Sequence, residues 1–172
     1  MARRFAEGTS VSVEKTRAEL ETLLAKHGAG QRMIATDDVA GRAVITFRLA
    51  DRMVRLELKS SKSALPDTSK GDYNQKAKCP RGWNGWSREQ RKRWLETEAD
   101  QCDREAWRRL LLITKAKLEF IADGASTVER EFLPDILLPD GQTVHQALGA
   151  QLAESYRTGT MPPLLPAAGE TD

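Results

Sequence analysis

Glu57-Leu58-Lys59 sets a carboxylate and an ammonium two residues apart, so that on an extended chain both project from one side. Asp37 and Asp38 stand about twenty positions upstream, at another strand end. Carboxylates so placed would hold Mg²⁺, and the lysine would help orient an attacking water for hydrolysis. Arg55, Glu57 and Lys59 equally make the solvent face of an amphipathic strand with cross-strand charge pairing. The other chemical cluster is "CPRGWNGWSREQRKRW", residues 79–94, which gathers three of the four tryptophans among five cations. Single-stranded nucleic acid is bound by that combination, cations along the phosphates and aromatic planes under the bases. The candidate binding residues are Lys70, Lys76, Lys78, Arg81, Trp83, Trp86, Arg88, Arg91, Lys92 and Arg93. The competing reading folds Trp83 and Trp86 back as an apolar lid, since tryptophan is highly buried on average. Trp94 borders an apolar seam at Leu95, and Trp107 falls in the core.

Other chemistries fail on spacing. Cys79, Cys102, His27 and His145 are four zinc-ligand types, but no pair has the short separation of a zinc site. Neither a metal nor a cofactor is expected. The phosphate loop G-x-x-x-x-G-K-[ST] is absent, and Gly28-Ala29-Gly30 lacks the third glycine of a dinucleotide loop. His27 ends a helix, where a cation suits the dipole, and His145 is a surface residue in a first helical turn. No catalytic residue is assigned, and the expectation is a protein that is not an enzyme.

The net charge of +2 hides an asymmetry. From Lys59 to Arg93 ten basic residues face three acidic ones, a local +7. Such clustering marks a surface that meets an anion, although a lysine-rich solvated loop has the same composition. No apolar run approaches the roughly 18 residues that span a bilayer, and MARRFAEGTS lacks the apolar core of a signal peptide. A cytoplasmic protein with no membrane partner is expected.

Several elements must position these groups. Residues 11–27 read as an amphipathic helix capped by Ser12 and closed by Gly28. A short strand around Arg32–Thr36 and the alternating runs Arg42–Leu49 and Val54–Lys59 read as a meander, with Ile45, Phe47, Leu49, Val54, Leu56 and Leu58 inward. Residues 60–85 lose all apolar period and form a basic loop. From Ser87 to Ile121 neither Gly nor Pro intervenes, and a seam runs through Leu95, Ala99, Cys102, Ala106, Leu110 and Ile113. Trp107, Leu111, Thr114, Leu118 and Ile121 widen it near the C-terminal half into a broad face that is expected to be deeply buried. A helix of that length is about 50 Å long, so it must kink or outrun its domain. Ser126 and Glu129 have capping-box spacing for a short helix. Thr143 caps a last helix in which Val144, Leu148, Leu152 and Tyr156 recur. The fold class is α+β: a three-stranded antiparallel meander packed against a long α-helix, with flanking N- and C-terminal helices. Residues 1–160 make one domain and 161–172 a Pro-rich tail.

Three resemblances bear on function. Asp37, Asp38 and Glu57-Leu58-Lys59 on neighbouring strands resemble the metal-binding core of PD-(D/E)xK nucleases. The stretch WRRLLLITKAKLEFIADGASTVEREFLPDILLPDGQTV, residues 107–144, with the tail MPPLLP, is similar to a family of small phage and prophage proteins. That resemblance implies a phage context in a bacterial host cell and brings no catalytic residues. The order helix, meander, basic loop, long helix is similar to Rad52- and RecT-type single-strand annealing proteins, which assemble into rings or filaments. The expectation is a phage-derived protein that binds nucleic acid, single-stranded DNA above all, in recombination or replication, with a homo-oligomer among its partners. The alternatives are a phage protein that binds and inhibits a host protein, and a Mg²⁺-dependent nuclease.

Overall fold

Three strands, β1 (Gly30–Asp37), β2 (Arg42–Leu49) and β3 (Arg52–Lys59), form an antiparallel sheet in the order β1-β2-β3 in the computed structural model, which describes residues 5–37, 41–60, 65 and 82–160. The register follows from the period of two. Ile34, Ile45 and Leu56 share one row, and Phe47 faces Val54, so the apolar side chains fall on one side. The opposite side carries the row Met33, Thr46, Arg55 and the row Ala35, Val44, Glu57. Between β2 and β3 the chain reverses in two residues. Ala50 and Asp51 both take positive φ, 45° and 62°, as a tight hairpin loop matched to strand twist requires.

Helix α1 (Val13–Lys26) begins at Ser12, whose hydroxyl accepts the Lys15 N–H, and buries Thr16, Leu20 and Leu24. Gly28, at φ 78°, ends it because only a residue without Cβ adopts that backbone cheaply. Helix α2 (Arg88–Ala122) runs unbroken for 35 residues from a capping box made by Ser87 and Gln90. Its buried residues begin only at Ala106 and continue through Trp107, Leu111, Thr114 and Leu118. The core therefore joins the C-terminal half of α2 to α1 and to the apolar side of the sheet. Among the described residues, Arg88–Glu105 of α2 adds no buried side chain to the core, as expected of a helix that outruns its domain. The segment before α1 reaches α2 at its middle, where Gly8 N–H donates to Glu105 Oε1 at 2.9 Å and Gln101 Nε2 to the Thr9 carbonyl at 3.3 Å. From Arg88 to Asp100 the helix projects about 20 Å past that point.

The expected seam is corrected at its end, where Ile113 is 55% exposed. The broad face expected through Trp107, Leu111, Thr114 and Leu118 is buried, with Leu110 and Ile121 half-buried against the core. Helix α3 (Val128–Phe132) is capped by Thr127, not by Ser126, whose hydroxyl donates to Glu131 Oε1 at 2.6 Å. Phe132 closes the core with its ring edge-on to Phe47, centroids 5.9 Å apart. A 3-10 turn (Leu133–Asp135) leads to Ile136, which bridges Val54 on the free edge of β3. Helix α4 (Val144–Thr158) starts from a second capping box, Thr143 with Gln146. The Gln146 carboxamide accepts from Arg55 Nη2 at 2.8 Å and donates to Glu57 Oε1 at 3.4 Å, tying α4 to the polar face of the sheet. The stripe expected on α4 does not hold together: Val144 and Leu148 are half-buried, Leu152 is exposed and Tyr156 is 86% exposed. Four-residue steps overshoot the helical turn by about 40° each, so the row winds off the buried side. Among the described residues no helix is long and apolar enough to cross a membrane.

Candidate nucleic-acid interface

The start of α2 is fastened by aromatic packing. Gly82, at φ 84°, turns the chain into a 3-10 turn (Trp83–Gly85), closed by Gly85 N–H to the Gly82 carbonyl at 2.8 Å and Trp86 N–H to the Trp83 carbonyl at 3.1 Å. The turn brings Trp83 and Trp86 against Trp94, seven residues into the capped helix. Trp83 lies 5.7 Å from Trp86 and 5.3 Å from Trp94 between ring centroids, the latter pair edge-to-face. Trp86 and Trp94 are 6.5 Å apart, also edge-to-face. These offsets suit the ring quadrupoles, positive edge toward negative face. Arg91 completes the knot, its guanidinium carbon 5.6 Å from the Trp83 ring centre.

Burial separates the expected residues into two sets. Trp83 is only 4% exposed, so the lid reading describes its ring as it stands; its Nε1 has no hydrogen-bond partner among the described residues. Trp86 and Trp94 are half-buried and Arg91 is half-buried on the knot. Arg88, Lys92 and Arg93 are exposed on the first two turns of α2, with Lys92 3.9 Å from Glu96. They stand at the positive end of the helix dipole, where anions are favoured. Lys70, Lys76, Lys78 and Arg81 lie outside the described residues.

The nuclease-like constellation does not assemble as the resemblance requires. β1 and β3 are not neighbours; β2 lies between them and sets Arg42 between Asp37 and Lys59. Two strand spacings put about 9.6 Å between the outer backbones. Glu57 is engaged by Gln146, and Asp38 lies outside the described residues. Among the described residues no group of three His, Cys, Asp or Glu side chains gathers to hold a metal. Cys102 is a free thiol, Cys79 lies outside the described residues, and His27 is 3.7 Å from Glu119 at the end of α1.

One charged group is hidden from sequence because its members come from four elements. Burial raises the Asp135 carboxyl above its ordinary range, opposed by the positive field of Lys117 and of His145 and assisted by Glu57. Lys117 lies 3.9 Å from Asp135, donates to the Glu131 carbonyl at 2.6 Å and sits 4.8 Å from the Phe132 ring centre. These contacts fasten α3 and its following turn to α2. Nothing in Leu133-Pro134-Asp135 itself announces those partners.

No protein-family model, no curated protein and no solved structure matches this chain.

Proposed function

We propose that the protein binds nucleic acid, single-stranded DNA in preference to duplex, and serves annealing, recombination or replication without a covalent step of its own. The observation that carries this reading is the tryptophan knot, which holds the start of α2 rigid while Arg88, Lys92 and Arg93 stay exposed beside the most basic stretch of the chain. Phosphates are met by those cations and by the helix dipole. With Trp83 held inside the knot, base stacking falls to the outer face of Trp86. The element order shared with annealing proteins is an analogy of fold, and the reading stands on the residues.

A fluorescent oligonucleotide titrated at several salt concentrations tests the proposal. Binding should weaken steeply with salt, and Trp86→Ala should weaken it further at every salt concentration. Undetectable or salt-insensitive binding at low salt would overturn it. Plasmid cleavage in Mg²⁺ that disappears on Glu57→Gln would overturn the non-enzymatic part. A protein partner retained from host lysate after nuclease treatment is the outcome that favours the second reading, a phage protein directed at a host protein.

A further inference from the structure

Helices α1 and α2 lie side by side and run in the same direction. Arg17 stands 5.5 Å from the Trp107 ring centre, Arg108 pairs with Glu19, and His27 Nε2 lies 3.7 Å from Glu119, so the contacts advance together along both helices. Between them a cleft of about 500 Å³ opens to solvent. Its lining recurs at helical spacing, through Lys15, Ala18, Thr22 and Lys26 on α1 and Arg108, Leu111, Lys115 and Glu119 on α2. The furrow between these two stripes runs about 17 Å, the length of three helical turns. Ala18, Leu23, Leu111 and Leu112 give it an apolar surface.

The charge along the cleft is positive and spread out. Lys15, Lys26 and Lys115 border it, and none makes an ion pair among the described residues. The two acids of the lining already have company, Glu19 in Arg108 and Glu119 in His27. Lys15 and Lys26 are eleven residues apart, about 17 Å along α1. A single-chain amphiphile carries its charge at one end and meets only one of them. Nucleic acid would find cations but no aromatic ring in the lining to stack its bases. A rod with an apolar stripe and carboxylates along its flanks matches both the leucines and the lysines.

We propose that this cleft seats an amphipathic helix of a protein partner, with apolar side chains at three- and four-residue spacing turned inward and Asp or Glu on both flanks. Three turns of such a helix reach from the level of Lys15 to that of Lys26. The proposal does not depend on the nucleic-acid reading, whose cations stand on the first two turns of α2.

Three fluorescein-labelled helical 15-residue peptides serve as probes for anisotropy titration of the full chain. One has leucines at three- and four-residue spacing with glutamate on both flanks; the second replaces the glutamates by lysine, and the third replaces the leucines by serine. The first should bind at least tenfold more tightly than either of the others, and amide NMR shifts should be confined to 15–26 and 108–119. Ala18→Phe fills the cleft without a charge change and should weaken binding at least tenfold with an unchanged circular dichroism spectrum. Lys15→Glu with Lys115→Glu should reverse the preference toward the lysine peptide. The proposal is overturned if the first peptide does not bind, if the serine peptide binds as well, if Ala18→Phe has no effect, or if the shifts fall at the start of α2. Tighter occupation of the same residues by an oligonucleotide or by laurate, or self-association that the peptide dissolves, would assign the cleft to another occupant and equally overturn it.

Discussion

Arg91 turns back on Trp83: its Nε donates to the Trp83 carbonyl oxygen at 3.2 Å while its guanidinium carbon lies 5.6 Å from the centre of the same ring. One side chain thus clamps both the backbone and the ring of a residue eight positions earlier. The planar guanidinium is needed for this, because an ammonium is a point charge that does not lie flat on a ring. Arg91 is therefore committed to structure, unlike Arg93 two residues on, which is exposed.

Loosening the knot should melt the tip without touching the core. Trp83→Ala removes the central ring of the three, and a buried tryptophan replaced by alanine typically costs about 3–5 kcal/mol where it packs. The effect is local, because the core begins at Ala106, about 18 residues past the start of α2 at Arg88. Hydrogen exchange of amides 91–96 should accelerate by about a hundredfold, with amides around Leu111 and Leu118 unchanged. Arg91→Lys should give a smaller effect in the same place. Uniform acceleration across α2 would show that the overhang and the core unfold together.

Phosphate binding by the helix start has a separate signature. For single strands the slope of log K against log salt changes by about 0.7 for each phosphate that a cation neutralises. Replacing Arg88, Lys92 and Arg93 together by glutamine should therefore flatten the slope by about 2. The same variant should leave exchange at the tip unchanged, since none of the three is part of the knot. An unaltered slope would move the phosphate-binding cations elsewhere on the chain.

The sheet and the N-caps of α2 and α4 are legible in the sequence because they are local. Alternation alone places Ile45, Phe47, Val54 and Leu56 inward, where they are found, and Ser87 and Thr143 cap where their types and spacing put them. What the sequence does not reveal depends on where the core begins around a helix. Ile113 continues a regular spacing from Ala106 yet faces solvent, since the buried side of α2 is the broad face of Trp107, Leu111, Thr114 and Leu118, which the same sequence marks. Ser126 and Thr127 are equally good caps, and the choice is made by Glu131, which takes the Ser126 hydroxyl. In the candidate site, the composition of residues 79–94 signals aromatic and cationic chemistry. Which tryptophan is buried is set by the turn at Gly82, which composition does not encode.

The β2–β3 hairpin holds removable strain. Ala50 and Asp51 both sit at positive φ, where an alanine Cβ crowds the carbonyl oxygen that follows it. Asparagine and glycine favour this loop geometry, so Ala50→Asn with Asp51→Gly should stabilise the protein by about 1 kcal/mol. Chemical denaturation should show a higher midpoint at an unchanged slope. A lower midpoint would mean that contacts of the Asp51 side chain outweigh the backbone gain.

The Asp135 carboxyl sets a pH dependence whose sign can be worked out. Desolvation holds its pKa above the unfolded value, with Lys117 and His145 only partly offsetting the effect and Glu57 adding to it. Between the two pKa values the folded state binds more protons than the unfolded state, so this group's contribution to stability declines as pH rises through the window. Above it the ionised carboxylate costs stability, and the cost is relieved as pH falls through the folded pKa. Asp135→Asn keeps the shape and removes the charge, while Lys117 retains the Glu131 carbonyl as an acceptor. The variant should melt higher than the parent at pH 7, and the difference should shrink as pH falls toward about 4, the ordinary carboxylate range. If instead the variant melts lower at pH 7, the attraction to Lys117 across 3.9 Å outweighs the burial of the charge.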